Sequence, residues 1–400
     1  MRMRSARIFV IGCVALLLGG LPLTVNAQER PQRLPAPAPG VIYYGFSEGF
    51  AAIQVGQKYG YINRTGAFVI PAQFDGVNGF RYGLSGVKVG GKWGFIDTAG
   101  KQVIAPQFDD TTSFTDVGLA RVKVGGKWGF IDRTGSFAIP AQFEDASGFG
   151  EETPVTFPER PAASPVLAPV KVDGKWGYID TAGKLVIAPQ FDDANGFAGN
   201  GLAAVNVGGT RNDADSKVGF INKTGVFVIP PQFYDANIDE PERFIGMQVG
   251  DLFGIADAQT GAVVVSPRFE FVGDFIGGVA AAKIGGKYGF IYPNGEIAIA
   301  PQFAHAEDFD PQGMAVVQAD ANYGIITKIG ATPTAKPTGG QFGVIDRTGR
   351  FVIPPRFEAL GDFTDGLAEA QVNGKVGFID RSGAFVIAPT FVPDPNRAPQ

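Results

Sequence analysis

The stretch from Lys92 to Phe108, Lys-Trp-Gly-Phe-Ile-Asp followed by a Val-Ile-Ala-Pro-Gln-Phe block, recurs along almost the whole chain, and this recurrence limits the folds open to it. Aligned on the glycine of the Lys-Trp-Gly step, the units fall at Gly60, Gly94, Gly129, Gly177, Gly219, Gly254, Gly289, Gly343 and Gly377. Five of the eight intervals are 34 or 35 residues, and the other three carry insertions. One such unit cannot bury an apolar face alone, so neighbours must stack or ring. A length of 400 residues therefore does not fix the domain count, because a repeat array is one continuous body.

Each unit reads as short strands. In the third, strand A from Gly118 to Val124 is rich in β-branched residues and ends at Gly125-Gly126, a hairpin signal. Strand B from Lys127 to Asp132 places Trp128 and Phe130 on one face and Gly129 and Ile131 on the other. Asp132-Arg133-Thr134-Gly135 has the chemistry of a turn, with Asp bonding the backbone ahead of it and Gly supplying positive φ. Phe137 to Ile139 is predicted as strand C, and Gln142-Phe143 opens strand D. The 57 glycines and 34 phenylalanines, without a collagen period, agree with short strands and tight turns. The predicted class is all-β.

Two recurrences carry backbone meaning. An Ile or Val precedes a Phe by four residues in all nine units, as in Ile104 to Phe108, with at least one proline between. Proline lacks an N–H, so it is expected to end strand C or bend it at an unpaired edge. The glycine beside the aromatic also returns in every unit, although a strand-interior glycine costs roughly 0.5–1 kcal/mol relative to alanine. Either its φ is positive or a neighbouring ring lies over the bare Cα. Trp93, Gly94, Phe108, Trp128, Gly129, Phe143, Trp176, Gly177 and Phe191 are accordingly read as structural.

These blocks resemble the WG repeat, also called the KWG repeat, of bacterial secreted and envelope proteins. The resemblance covers Phe46 to Phe391, with Val218, Phe253 and Phe342 standing where the motif has tryptophan. It implies an all-β, interaction-related repeat module and brings no catalytic residues. A β-propeller-like ring is the expected architecture, since radial repetition shields strand edges. An open β superhelix is the alternative, because nine units exceed the usual four to eight blades and about 35 residues is short for four strands.

Outside the array, residues 1–27 read as a signal peptide: Arg2, Arg4 and Arg7 precede an apolar run from Ile8 to Leu23, with cleavage expected after Ala27. Interrupted by Gly12, Gly19, Gly20 and Pro22, the run is short for a membrane span of about 20 residues, so no stable membrane insertion is expected after cleavage. Residues 28–45 are a proline-rich linker, residues 46–391 the nine-unit domain and residues 392–400 a tail. The protein is expected to be exported, to the periplasm or outside the cell.

Little in the sequence points to chemistry. Cys13, the single cysteine, leaves with the signal, which removes thiol nucleophiles and thiolate metal sites. His305, the single histidine, replaces a repeat-position carboxylate and reads as a solvated loop residue. The formal charge of −5, without a basic stripe, argues against nucleic acid. Acids after each repeat Phe, including Asp109, Asp110, Glu144, Asp145, Asp192 and Asp193, suit solvated turns better than calcium or paired-acid hydrolysis. No cofactor or metal is expected.

Function is sought where the pattern breaks. Glu151 to Pro169 lies between strand D and the next strand A, whereas Gly208 to Ser216 and Ala319 to Gly340 both lengthen an A-to-B hairpin. The latter two should emerge on the same edge, making Asn212, Asp213, Asp215, Lys328 and Lys336 the candidate binding residues. The expected role is a non-enzymatic binding or scaffolding module for a protein or an envelope glycan. A glycan-directed hydrolase using repeat carboxylates and a structural spacer are the alternatives.

Overall fold

The computed structural model describes residues 41–42, 45–150, 165–199, 201–210, 216–233, 235–236, 243–319 and 340–392. The predicted signal peptide, most of the linker and nearly all of the tail lie outside the described residues. Among the described residues no helix is long and apolar enough to cross a membrane.

The chain is all-β, built as nine blades of four antiparallel strands. Blade 2 shows the plan: a two-residue lead strand Gly76–Val77, then A (Leu84–Val89), B (Lys92–Asp97) and C (Gln102–Phe108), hydrogen-bonded in that order. Thirty-five residues suffice because the lead strand is so short and each strand C runs almost directly into the next blade's lead. After Phe108, only Asp109 precedes the lead Asp110–Thr111 of blade 3. Between blades 7 and 8 the junction vanishes: Ile297–Ala306 is one strand that pairs with strand B of blade 7 and strand A of blade 8, giving a seven-stranded sheet. Val41–Ile42 pairs with Phe50–Val55 as the lead of blade 1, so the first blade reaches into the stretch read as linker.

The A-to-B turns follow their sequence. Gly90 and Gly91 have φ of 58° and 83°, the two left-handed residues that a tight hairpin requires.

Strand C corrects the sequence reading. Phe137–Phe143 is a single strand running through Pro140, so Gln142-Phe143 is its end and opens no strand of its own. Trp93 pairs with Phe108 and Phe95 with Ile104, so two residues on strand B oppose four on strand C. The excess forms a bulge. Pro106 sits inside it, where no ladder N–H is lost. This bulge also explains the invariant glycine, and positive φ does not. Gly94 and its eight counterparts are absent from the positive-φ residues, while a ring does come close to one of them: at Gly219 an added Cβ would lie 3.0 Å from Phe227 Cε1. A Cβ at Gly94 would lie 2.5 Å from the Ile104 carbonyl oxygen and 2.7 Å from Pro106 N, so the bulged backbone itself occupies the space.

Strand B alternates as predicted, and each face serves a different neighbour. Phe130 packs in the cluster between blades 3 and 4, and Ile131 in the cluster between blades 2 and 3. Among the described residues there are nine such clusters, each drawing on two adjacent blades. An open row of nine blades has eight interfaces; the ninth joins Phe46, Ala51, Ile53 and Ile62 of blade 1 to Leu367, Val376, Phe378, Ile387 and Phe391 of blade 9. The chain therefore closes into a ring, and the superhelix is excluded. Each large side chain fully buried at that seam contributes roughly 1.5–3 kcal/mol relative to exposure.

Candidate functional site

The meander gives the ring two faces. One carries the A-to-B hairpins and the junctions after each strand C; the other carries the B-to-C turns and the loops leading into each strand A.

On the turn face, repeat residues lock blade to blade. Asp132 Oδ1 accepts from Thr134 N at 2.8 Å, Thr134 Oγ1 at 2.6 Å and Ser136 N at 3.1 Å, closing the predicted turn. Asn63 and Asn222 do the same, so both Asn-x-Thr sites are engaged in turns. From the second position of these turns, arginines reach back to the preceding blade. Arg133 donates to Tyr82 O at 2.7 Å, Arg347 to Gly277 O at 2.5 Å, and Arg381 to Asp310 Oδ2 at 2.6 Å. Arg64 reaches Asp365 at 3.1 Å by the same rule, across the closure seam.

On the hairpin face, the acids after each Phe are structural clips. Asp109 accepts from Lys92 Nζ at 2.5 Å within its own blade and from Gly125 N at 2.8 Å in the next. Asp75 repeats this with Lys58 and Gly90 N, and Asp192 with Lys175 and the amides of Gly208 and Gly209. The lysine bond first, then the glycine amide, holds Asp75 and Asp109 below the ordinary carboxylate range. Glu144, Glu270 and Glu358 cap the hairpins of Gly174, Gly286 and Gly374 in the same way. Of the second acids, Asp110, Asp145 and Asp193 each accept from the backbone N–H of the next residue. Among the described residues no group of three or more His, Cys, Asp or Glu side chains is placed to hold a metal.

The two hairpin insertions rise from this same face. Their stems, Leu202–Val207 with Lys217–Asn222 in blade 5 and Met314–Ala319 with Phe342–Asp346 in blade 8, are paired A and B strands. Asn206 Nδ2 donates to Ser216 Oγ at 2.8 Å at the first stem, and Gln318 Nε2 to Gly340 O at 2.9 Å at the second. Asn212, Asp213, Asp215, Lys328 and Lys336 themselves lie outside the described residues.

Blades 6 to 8 hold two features that motif reading passed over. Across the hairpin face runs a row of rings: Phe253 to Phe271 at 5.8 Å between centroids, Phe271 to Tyr288 at 6.0 Å, and Tyr288 to His305 at 5.3 Å. His305 is thus no simple solvated loop residue. Its Nε2 pairs with Glu307 Oε1 at 2.6 Å, and that bond, outweighing burial, raises its pKa. The sequence signal for the row was Phe271, which stands where other blades place Asp110, Asp145 or Asp193. Nearby, Asp308 of blade 8 accepts from Ala281 N at 2.7 Å and Asp274 N at 2.8 Å in blade 7. Burial pushes its carboxyl up to about 7 despite those two bonds.

A closed ring of nearly identical blades, with variable loops on a regular frame, defines a propeller-like repeat module of binding or structural type. The chain belongs to the WG containing repeat family, whose model matches residues 59–93, 93–128, 128–153, 176–210, 219–241, 253–288, 288–323 and 342–375. No curated protein matches it in sequence. Among solved structures, "Crystal structure of the eukaryotic initiation factor" is similar over 81% of this chain and 89% of that one, at 12% identity and a TM-score of 0.52. That likeness is one of fold alone. "Structure of Kluyveromyces lactis Hsv2p" matches over 59% of this chain and 89% of that one, at 9% identity and a TM-score of 0.33, too distant to carry an argument.

Proposed function

We propose that this chain is an exported, non-enzymatic module that binds a protein or an envelope glycan through the hairpin face of its ring. The observation that carries the reading is the division of labour on that face. Repeat acids there are spent on hairpin amides and lysines, whereas both hairpin insertions depart from paired stems on the same side. A closed ring is a rigid frame, and loops on rigid frames are where binding residues concentrate. The alternative of hydrolysis by repeat carboxylates finds no support in the geometry: Asp75 and Asp109 are held ionised by structural bonds, which suits neither proton donation nor a poised base.

The test replaces Gly208 to Ser216 and Ala319 to Gly340, separately, with Gly-Gly, the hairpin turn used by sister blades, and compares partners recovered by each immobilised chain. A partner retained by the parent and lost from one trimmed ring supports the reading. Equal recovery by parent and both trimmed rings overturns the assignment to this face, and no recovery by the parent favours a spacer.

A further inference from the structure

We propose that the row formed by Phe271, Tyr288 and His305, with Lys283 seated in it, binds a carboxylate-bearing sugar unit of an acidic polysaccharide. The proposal rests on the reading of the ring as a binding module and names a ligand class for one part of its hairpin face.

The argument begins with a break in the repeat grammar. Asp110 stands cross-strand from Lys123 and Asp145 from Lys171, opposite charges side by side. In blade 7 the same place, opposite Lys283, is taken by Phe271. The next blade's lead strand then supplies His305, again in place of an acid. Two adjacent lead strands thus exchange carboxylates for rings, and they do so nowhere else among the described lead strands. These rings remain open to solvent: Phe271 is 36% exposed and the His305 side chain 35%.

Charge then selects the ligand. Lys283 Nζ lies 5.5 Å from the Tyr288 ring centroid and has no ion pair among the described residues. The neighbouring acids are already committed, Glu270 to the Gly286 amide and Glu307 to His305. Neither of these acids bonds Lys283, so its ammonium is left to meet an anionic group.

Shape narrows it further. Phe271 is inclined 57° to Tyr288, and Tyr288 62° to His305, so neighbouring rings are tilted and offer no parallel-walled slot for a planar base. A sugar chair lays its C–H face against such rings, and the positive ring edges and polar rim meet its hydroxyls. Its carboxylate is the natural partner of Lys283.

The probe is a galacturonate oligomer titrated calorimetrically into the full chain, with a malto-oligosaccharide of equal length as the neutral control and poly-glutamate as the acidic peptide control. Saturable binding of the galacturonate oligomer, at least tenfold tighter than either control, is expected. Phe271→Asp and Lys283→Gln should each weaken it at least tenfold. Phe271→Asp restores the residue type of sister blades, so its melting temperature should stay near the parent's. Three results overturn the proposal: no binding of the oligomer to the parent chain, equal or tighter binding of either control, or unchanged affinity in a folded Phe271→Asp variant. A partner that still depends on the hairpin insertions would then leave the binding-module reading standing, while its loss as well would remove both.

Discussion

Gly49 and Asp365 stand 316 residues apart, yet the Gly49 amide donates to the Asp365 carboxylate at 2.6 Å. Arg64 reaches the same carboxylate at 3.1 Å, so one side chain of blade 9 ties down both a loop and a turn of blade 1. Eight interfaces are also crossed by the backbone; among the described residues this one is held by side chains and that clip. Asp365→Ala should therefore cost about 1 kcal/mol, the order expected for a partly exposed charge-assisted contact. Hydrogen exchange should localise the change, with faster exchange in Phe50–Val55 and Leu367–Val372 and none in blades 3 to 6. Uniform exchange across all blades would contradict a local seam.

Phe378 tests the same closure from its apolar side. It is buried, with its ring centroid 4.8 Å from that of Phe46 in an edge-to-face contact. Phe378→Ala should cost about 3–5 kcal/mol, as for other buried phenylalanines. The same truncation at Phe130, between blades 3 and 4, should cost a similar amount in urea unfolding. A much smaller loss at Phe378 would show that the ring does not depend on closing.

Gly94 separates two reasons for a conserved-looking glycine within one chain. At Gly94 the added methyl meets backbone atoms that no rotamer can move, so Gly94→Ala should destabilise by about 3 kcal/mol or more. At Gly91 a methyl meets nothing within 4 Å, and only the positive φ of 83° is strained. Gly91→Ala should cost about 1–2 kcal/mol. Equal losses in denaturant midpoint would refute the account of the bulge.

Asp308 gives the junction of blades 7 and 8 a dependence on pH. Its carboxyl is raised from 3.8 to about 7 in the folded protein, so the native state binds that proton more tightly than the unfolded chain. The resulting stabilisation is complete below about pH 3.8 and is lost as pH rises toward and through 7. His305 acts in the same direction, since its raised pKa favours the folded state below 6.5 and loses that effect above its folded value. Asp75 and Asp109, whose values are lowered, oppose them at the acid end: their contribution is present above 3.8 and disappears as pH falls through their folded values. Urea midpoints measured from pH 5 to 8 should fall with rising pH, and Asp308→Asn should flatten that slope. An unchanged slope in Asp308→Asn would remove Asp308 as its source.

Much of the blade was legible because its signals are local. Gly125-Gly126 has one good turn to make, and the alternation of Trp128 to Ile131 assigns two faces whatever lies beyond them. The bulge was not legible, since a proline between Ile104 and Phe108 is as compatible with a strand that ends as with one that detours. Gly94 could not be read for the same reason: the atoms that exclude a side chain there belong to the detour. Two-residue lead strands such as Gly76–Val77 are too short to show any period. Ring closure depends on contacts between Phe46 and Phe378, which no single repeat encodes. At the candidate site, the insertions announced themselves as breaks in length, whereas Phe271 is a break in chemistry at constant length, visible only when sister positions are compared one by one.

The unbroken strand Ile297–Ala306 has a mechanical consequence. Met314–Ala319, the stem of the longer insertion, hydrogen-bonds to this strand, and the strand is laddered in turn to Lys287–Ile291, which carries Tyr288. Force applied to the insertion by a bound partner is therefore borne in shear by rows of backbone hydrogen bonds and delivered to the blade of Lys283 and Phe271. At the other seams, where the sheets are separate, a pull on one blade reaches its neighbour through side-chain packing and the connecting chain, which yield by peeling. Blades 7 and 8 thus form a stiff plate within a more compliant wheel.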